Sequence, residues 1–195
     1  MNTGRIDFYT KVHKGLRAIL FQLSQRAAAS DYADPQDLAT LRTVVKATLA
    51  QLSSHAMHEA RFIHPLLTEK TGESSFDAEH DALETDQAQL EQRLESVSSA
   101  PHSERRALGL AFYRALNVFI ARYLEHLARE EETMPVLWDQ CTDEELAAVM
   151  AAFGASRPLG EALADIGWML PALSAPEQSE LISGMARSLQ SRAVL

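Results

Sequence analysis

The chain has 195 residues, 18 lysines and arginines against 27 aspartates and glutamates, and one cysteine. A single cysteine excludes an intramolecular disulfide and the multi-cysteine zinc and iron–sulfur sites. The net charge of −9 argues against nucleic acid as the main partner. The sequence shows neither a secretory signal nor a stretch of about 18 apolar residues, so we expect a cytoplasmic protein without a membrane partner.

The first two predicted helices are separated by a short polar break. Apolar residues at steps of three and four, typical of a helix with one buried face, run over residues 6–28 and then 35–68. Asp34 is placed to cap the second helix, Pro35 suits its first turn, and Gly72 in TGESS predicts its end. We call the predicted buried face of each helix its stripe. The first two stripes are Ile6, Tyr9, His13, Leu16, Leu20 and Leu23, and then Leu38, Leu41, Val45, Thr48, Leu52, His55, Glu59, Phe62 and Leu66.

Two further helices are predicted with the same periodicity. The third covers residues 76–97 and the fourth 104–134, with the polar loop SSAPHS between them. Their stripes are Phe76, His80, Leu83, Gln87, Leu90, Leu94 and Val97, and then Leu108, Phe112, Ala115, Phe119, Tyr123, His126, Glu130 and Met134.

Four amphipathic helices with short connections predict an all-α fold, an antiparallel up-and-down four-helix bundle over residues 1–140. Residues 141–195 contain prolines and two capping-box sequences, Thr142–Glu145 and Ser174–Glu177. They predict a C-terminal extension of two or three short helices packed on the bundle.

Six polar residues on the stripes have the chemistry of metal ligands. A buried imidazolium or carboxylate without compensation costs several kcal/mol, so six of them on core faces need a partner. A divalent cation is such a partner, because it binds neutral imidazole nitrogens and ionised carboxylates. The predicted ligands are His13, His55, Glu59, His80, His126 and Glu130.

The order of these residues repeats along the chain. His55 and Glu59 are four residues apart, as are His126 and Glu130, so each pair projects from one helix face. A lone stripe histidine precedes each pair, and folding would bring the two halves together at one level. Six ligands fit two ions better than one. Each half of the repeat supplies two nitrogens to one ion, and the two glutamates can bridge both ions. Each ion then keeps a position for a small ligand. A nitrogen and oxygen donor set suits iron, manganese or zinc.

Other interpretations of single residues stay open. One His-x-x-x-Glu pair alone is a weak signal, and it is the joint pattern that favours a metal site. Glu84 lies one turn after His80 and is a candidate additional ligand, while His58 could replace a ligand after a rotation of its helix. His64 and His102 fall off the stripes and are expected outside the site. No catalytic residue is predicted.

The segments HAMHEARFIHPLL and HLAREEETMPVLW, with His13 and His80, resemble the ligand pattern of hemerythrin-like, or HHE cation-binding, proteins. The resemblance covers residues 5–140. It implies a four-helix bundle with two iron ions in a non-haem centre, an oxo or hydroxo bridge and two bridging glutamates; zinc and manganese remain alternatives. Members of this family bind O2 reversibly, sense oxygen, NO or iron, or handle iron and oxidative stress. The oxygen carriers have a fifth histidine where this chain has Glu84, which favours a sensor or a centre that oxidises irreversibly.

We therefore expect a protein that binds or senses a small ligand such as O2, NO or peroxide, rather than an enzyme. Residues 141–195 would serve as a homodimer or output surface. One alternative is a di-iron oxidoreductase or a protein that handles iron and repairs iron centres. The other is a helical bundle whose metal site is purely structural.

Overall fold

The protein is all-helical in the residues that the computed structural model describes, which are 4–72 and 76–193, with side chains described as far as residue 186. This part of the chain contains no strand, which confirms the predicted all-α class. Residues 73–75 of the predicted TGESS turn lie outside the described residues. The helices are α1 (Thr10–Ala29), α2 (Pro35–Phe62), α3 (His64–Thr71), α4 (Asp77–Ser99), α5 (His102–Glu131), α6 (Met134–Gln140), α7 (Asp143–Ser156), α8 (Leu159–Met169), a 3-10 turn (Leu170–Ala172) and α9 (Ala175–Ala193).

The chain divides into two compact units. The first comprises Met1–Ala18 and Met134–Leu195, and the second comprises Ile19–Thr133. Helix α1 belongs to both, because its residues up to Ala18 lie in the first unit and those from Ile19 in the second. The domain boundary near residue 140 stays a prediction.

In the second unit, α4 packs against both α2 and α5, and each pair is antiparallel. Arg42, near the start of α2, pairs with Glu95, near the end of α4, at 2.6 Å. Arg122, in the second half of α5, pairs with Asp86, in the first half of α4, at 2.8 Å. The antiparallel pairing therefore places the C-terminal part of α2, the start of α4 and the C-terminal part of α5 at the same level.

The predicted stripes match the buried residues over most of their length. In α2, every predicted position from Leu38 to Glu59 is buried, and in α4 the same holds from Leu83 to Val97. The α5 stripe is wrong at Leu108, which is 37% exposed, because the neighbouring Gly109 faces the core instead.

The continuous second helix was a wrong prediction, since α2 ends at Phe62 and α3 begins at His64. Pro65 accounts for the break, because its ring has no N–H and clashes with the carbonyl four residues earlier in a helix. The stripe changes register here. Phe62 and Leu66 are only half-buried, whereas His64 and Leu67 are buried. The fourth helix is interrupted in the same way before Pro135.

The predicted helix ends are confirmed at several positions. The Asp34 carboxylate accepts hydrogen bonds from the amides of Gln36 and Asp37, at 2.7 and 3.1 Å. Gly72 ends α3 with φ of 68°, a left-handed conformation that favours glycine. Thr142 begins α7 with a complete capping box. The first helix begins at Thr10 rather than at residue 6, because Asp7 caps it there.

The first unit joins the N-terminal part of α1 to the C-terminal helices. Lys11 pairs with Glu180 at 2.8 Å and Lys14 with Glu177 at 2.5 Å, so both lysines reach α9. Of the predicted short helices, α7 and α8 are present, whereas α9 is longer, at 19 residues. None of the described helices has the length and apolar character that crossing a membrane requires.

Candidate metal centre

The second unit brings together five of the six predicted ligands. They come from three helices: His55 and Glu59 from α2, His80 from α4, and His126 and Glu130 from α5. Four of the five are buried, and the side chain of His80 is only 10% exposed. Their convergence follows from the antiparallel pairing, which puts the end of α2, the start of α4 and the end of α5 at one level.

Three donor atoms form a compact triangle. His80 Nε2 lies 3.0 Å from His126 Nε2 and 3.2 Å from Glu130 Oε1. His126 Nε2 lies 3.0 Å from the same Glu130 oxygen. With metal–nitrogen bonds of about 2.0–2.1 Å, neighbouring donors around one ion are about 2.8–3.0 Å apart at a right angle and about 3.3–3.4 Å apart at the tetrahedral angle. The triangle therefore has the dimensions of one face of a metal coordination shell.

Glu59 lies between two histidines, with one oxygen on each side. Its Oε1 is 3.0 Å from His55 Nε2, and its Oε2 is 3.6 Å from His80 Nε2. The donor atoms of Glu59, His80, His126 and Glu130 all lie within 4.8 Å of one another, and so do those of His55, Glu59 and Glu130. Both glutamates thus belong to both sets, as two bridging carboxylates would.

His13 lies on α1 in the first unit. It is fully buried, and its ring centroid is 5.1 Å from that of Tyr9, one turn earlier. Its burial agrees with the stripe. Its place in the ligand set stays a prediction.

The protonation of the site favours a cation. Burial tends to raise the pKa of Glu130, but hydrogen bonds from His126 and His80 outweigh burial and hold that pKa well below its usual range. Glu130 is therefore an ionised carboxylate at neutral pH. Burial raises the pKa of Tyr123, whose ring lies 5.9 Å from that of His126, so this phenol is neutral. The donors fit a divalent ion, because buried imidazole nitrogens and an ionised carboxylate are its usual ligands.

Glu79 contacts the site, although the sequence analysis did not single it out. Its Oε2 lies 2.9 Å from His126 Nδ1 and 3.0 Å from Arg129 Nη2. Since a carboxylate only accepts, Nδ1 donates to it, and Nε2, inside the triangle, is the ring nitrogen that can bind either a proton or a metal ion. This is the arrangement of metal-bound histidines, whose second nitrogen is held by a carboxylate. Glu79 lies off the apolar stripe, so hydrophobic periodicity carries no signal for it.

The prediction that His64 does not face the core is wrong. This residue is 3% exposed, and its Nδ1 lies 2.8 Å from Asp77 Oδ1. Its ring centroid is 5.0 Å from that of His80. The histidine immediately before Pro65 is a signal that the helix break could have supplied.

The other candidates lie outside the donor groups found among the described residues. Glu84 and His102 are exposed, and His58 is half-buried. None of the three belongs to a set of donors close enough to hold an ion in that part of the chain.

The comparisons with known proteins agree with this geometry. The family model of the hemerythrin HHE cation-binding domain matches residues 5–137, which include all six predicted ligands. No curated protein and no solved structure matched the chain. Because the match covers more than half of the sequence, the chain belongs to the hemerythrin HHE cation-binding family.

Proposed function

We propose that this protein holds a dinuclear non-haem iron centre and binds or senses a small ligand such as O2 or NO. Metal binding is supported by the family and by the donor groups. The identity of the metal as iron, the nuclearity and the ligand are parts of the proposal.

The observation that carries the proposal is the donor triangle of His80, His126 and Glu130, with edges of 3.0–3.2 Å. The Nδ1 of His126 donates to Glu79, so Nε2 is the nitrogen that faces His80 and Glu130 and can bind a proton or a metal ion there. Two facing imidazole nitrogens and a carboxylate oxygen repel one another unless a cation or a proton lies among them. A metal ion removes this repulsion.

The proposed roles of the residues follow from the two overlapping donor sets. His80 and His126 would hold one ion, and His55 with His13 would hold the other. Glu59 and Glu130 would bridge them. Two iron ions with open positions supply reversible redox chemistry and a binding place for a diatomic molecule. The antiparallel four-helix bundle belongs to the same proposal, and so does the inclusion of His13, which is supported by the repeated sequence and by its burial.

The first test is the metal content and optical spectrum of freshly purified protein from iron-replete cells. We expect about two iron ions per chain and a near-ultraviolet and visible absorption. Anaerobic reduction should remove this absorption, and addition of O2 or NO should produce a new spectrum that reverses when the gas is removed. A metal content well below one per chain would contradict the proposal. A zinc-filled centre without a response to either gas would support a structural site instead.

A matched pair of variants tests whether the donors act as ligands. His126 and His102 both lie on α5, the former buried in the triangle and the latter exposed. We expect His126→Ala to lose at least one metal ion per chain and His102→Ala to keep the full content, with equal helicity by circular dichroism in all three proteins. An equal loss in both variants would refute the assignment.

A further inference from the structure

His64 is a buried histidine outside the ligand pattern of the sequence. Helix α3 begins at this residue, after the break at Ile63. Its Nδ1 lies 2.8 Å from Asp77 Oδ1, and because a carboxylate only accepts, Nδ1 donates to it. The second ring nitrogen, Nε2, is then the one that can accept a hydrogen bond or bind a cation.

The Nε2 atom of His64 is buried, and none of the described residues forms a hydrogen bond with it. A buried polar atom without a partner is costly, and native proteins satisfy nearly all such atoms. Because Nδ1 already donates to Asp77, a neutral His64 ring can use Nε2 only to accept a hydrogen bond or to bind a cation. Its surroundings therefore point to a bound group.

The position of His64 indicates which group this is. Its ring centroid is 5.0 Å from that of His80, with the planes 31° apart. The Phe76 ring lies 6.1 Å from the His64 ring and 5.7 Å from the His126 ring. His64 thus lies beside the half of the centre formed by His80 and His126. It is not itself one of the four residues whose donor atoms all lie within 4.8 Å of one another.

The same helical turn provides a parallel. Asp77 and Glu79 both lie in the first turn of α4, and each receives a hydrogen bond from the Nδ1 of a buried histidine. One of these histidines, His126, directs its Nε2 into the donor triangle. The other is His64, whose Nε2 is buried and whose ring lies beside the ring of His80.

We propose that His64 is an additional protein ligand of the metal centre, which binds through Nε2 the ion held by His80 and His126, while Asp77 fixes its ring. This inference rests on the proposed function, because it presupposes a metal in the triangle. It raises the number of histidine ligands on this side from two to three.

Cobalt(II) substitution gives a direct count of histidine ligands. In the proton NMR spectrum, each coordinated imidazole contributes one exchangeable N–H signal far outside the diamagnetic range. We expect His64→Gln to remove one such signal and His102→Gln to remove none. Asp77→Asn should keep the number of signals and displace one of them, because the hydrogen-bond acceptor of the His64 N–H changes.

The outcomes separate the two proposals. A wild-type protein without any shifted N–H signal would contradict the dinuclear centre and, with it, the role of His64. A wild-type protein with such signals, all of them retained in His64→Gln, would overturn the role of His64 alone. If His64→Gln does not fold, Asp77→Asn decides, because an undisplaced set of signals would then refute coordination by His64.

Discussion

Glu79 shows how a residue outside the donor set controls a donor. Its side chain is 34% exposed, yet it accepts a hydrogen bond from the buried His126 and forms an ion pair with Arg129. Holding Nδ1 in this way fixes the orientation of the ring and keeps Nε2 among the donors of the triangle. The effect on the metal is indirect, so it should appear as a loss of affinity rather than of stoichiometry.

We predict that Glu79→Leu weakens metal binding by about 10- to 100-fold, the usual range for the loss of such an outer hydrogen bond. The measurement is competition with a coloured chelator at constant pH. Glu84→Leu, an exposed position on the same helix, is the matched control and should leave the affinity within about twofold of wild type. Equal affinities in the two variants would contradict the role of Glu79.

The residues of the site divide into those that sequence reasoning found and those it could not find. His55, Glu59, His126 and Glu130 continue apolar stripes, so periodicity alone places them at the core. Glu79 has no such signal, since its function comes from a contact with another helix. His64 is five positions after Glu59, which is about 140° around a continuous helix, and only the break before Pro65 brings it back to the buried side.

At the scale of helices, Gly109 allows a close contact between α5 and the segment before α2. A Cβ atom added at Gly109 would lie 2.1 Å from Cγ of Tyr32. The Tyr32 ring has little freedom to move, because it is 7% exposed and its hydroxyl donates to the Ala27 carbonyl at 2.8 Å. Gly109, which is buried whereas Leu108 is not, leaves room for this ring.

We predict that Gly109→Ala lowers the free energy of unfolding by about 1–3 kcal/mol, because overpacking outweighs the gain in helix propensity. Urea denaturation measures this. The double variant is the control: in a Tyr32→Ala background, the same substitution should cost nothing or stabilise by up to about 1 kcal/mol, since only the propensity gain remains. A similar cost in both backgrounds would show that the contact is not responsible.

A second contact between helices makes the first unit sensitive to acid. Lys14 Nζ lies 2.5 Å from Glu177 Oε1, and hydrogen bonds from Lys14 and Ser174 lower the pKa of Glu177 to about 2. Because this pKa is lower in the folded chain than in the unfolded chain, the contribution to stability is present above about pH 4.5. It is lost as the pH falls toward 2.

We predict that Lys14→Met raises the pKa of Glu177 toward its ordinary value, without restoring it fully, because the bonds from Ser174 remain. An NMR titration of the Glu177 side-chain carboxyl carbon measures the change. Lys11→Met, which removes the pair with Glu180, is the control and should leave the Glu177 titration unchanged. An unchanged titration in Lys14→Met would refute the ion pair.

At the scale of the whole molecule, metal binding is linked to folding, because the unfolded chain has no preformed site. An ion present at 100 times its dissociation constant stabilises the folded state by about 2.7 kcal/mol. We predict that a strong chelator lowers the melting temperature by about 5–10 °C for each ion removed, a range typical of chains of this length. His126→Ala should show a smaller decrease. A chelator that removes the metal without changing the melting temperature would contradict this linkage.

The overall class was predictable because the stripes, caps and short connections all indicate helices. The division into two compact units was not predictable. Its first boundary lies between Ala18 and Ile19, inside the continuous helix α1, and no change in composition marks that point. Local patterns report which face of a helix is buried. They do not report the residues against which that face packs.

The break at Ile63 has a consequence for how this chain can change over generations. A residue inserted or deleted in α2 before His55 turns both His55 and Glu59 by about 100° relative to the preceding part of the helix, and one between them misplaces Glu59 relative to His55. The same event at Ile63 leaves that pair in register and reorients only α3, which carries His64. The junction thus lets a lineage acquire or discard His64 while it inherits the other donors unchanged.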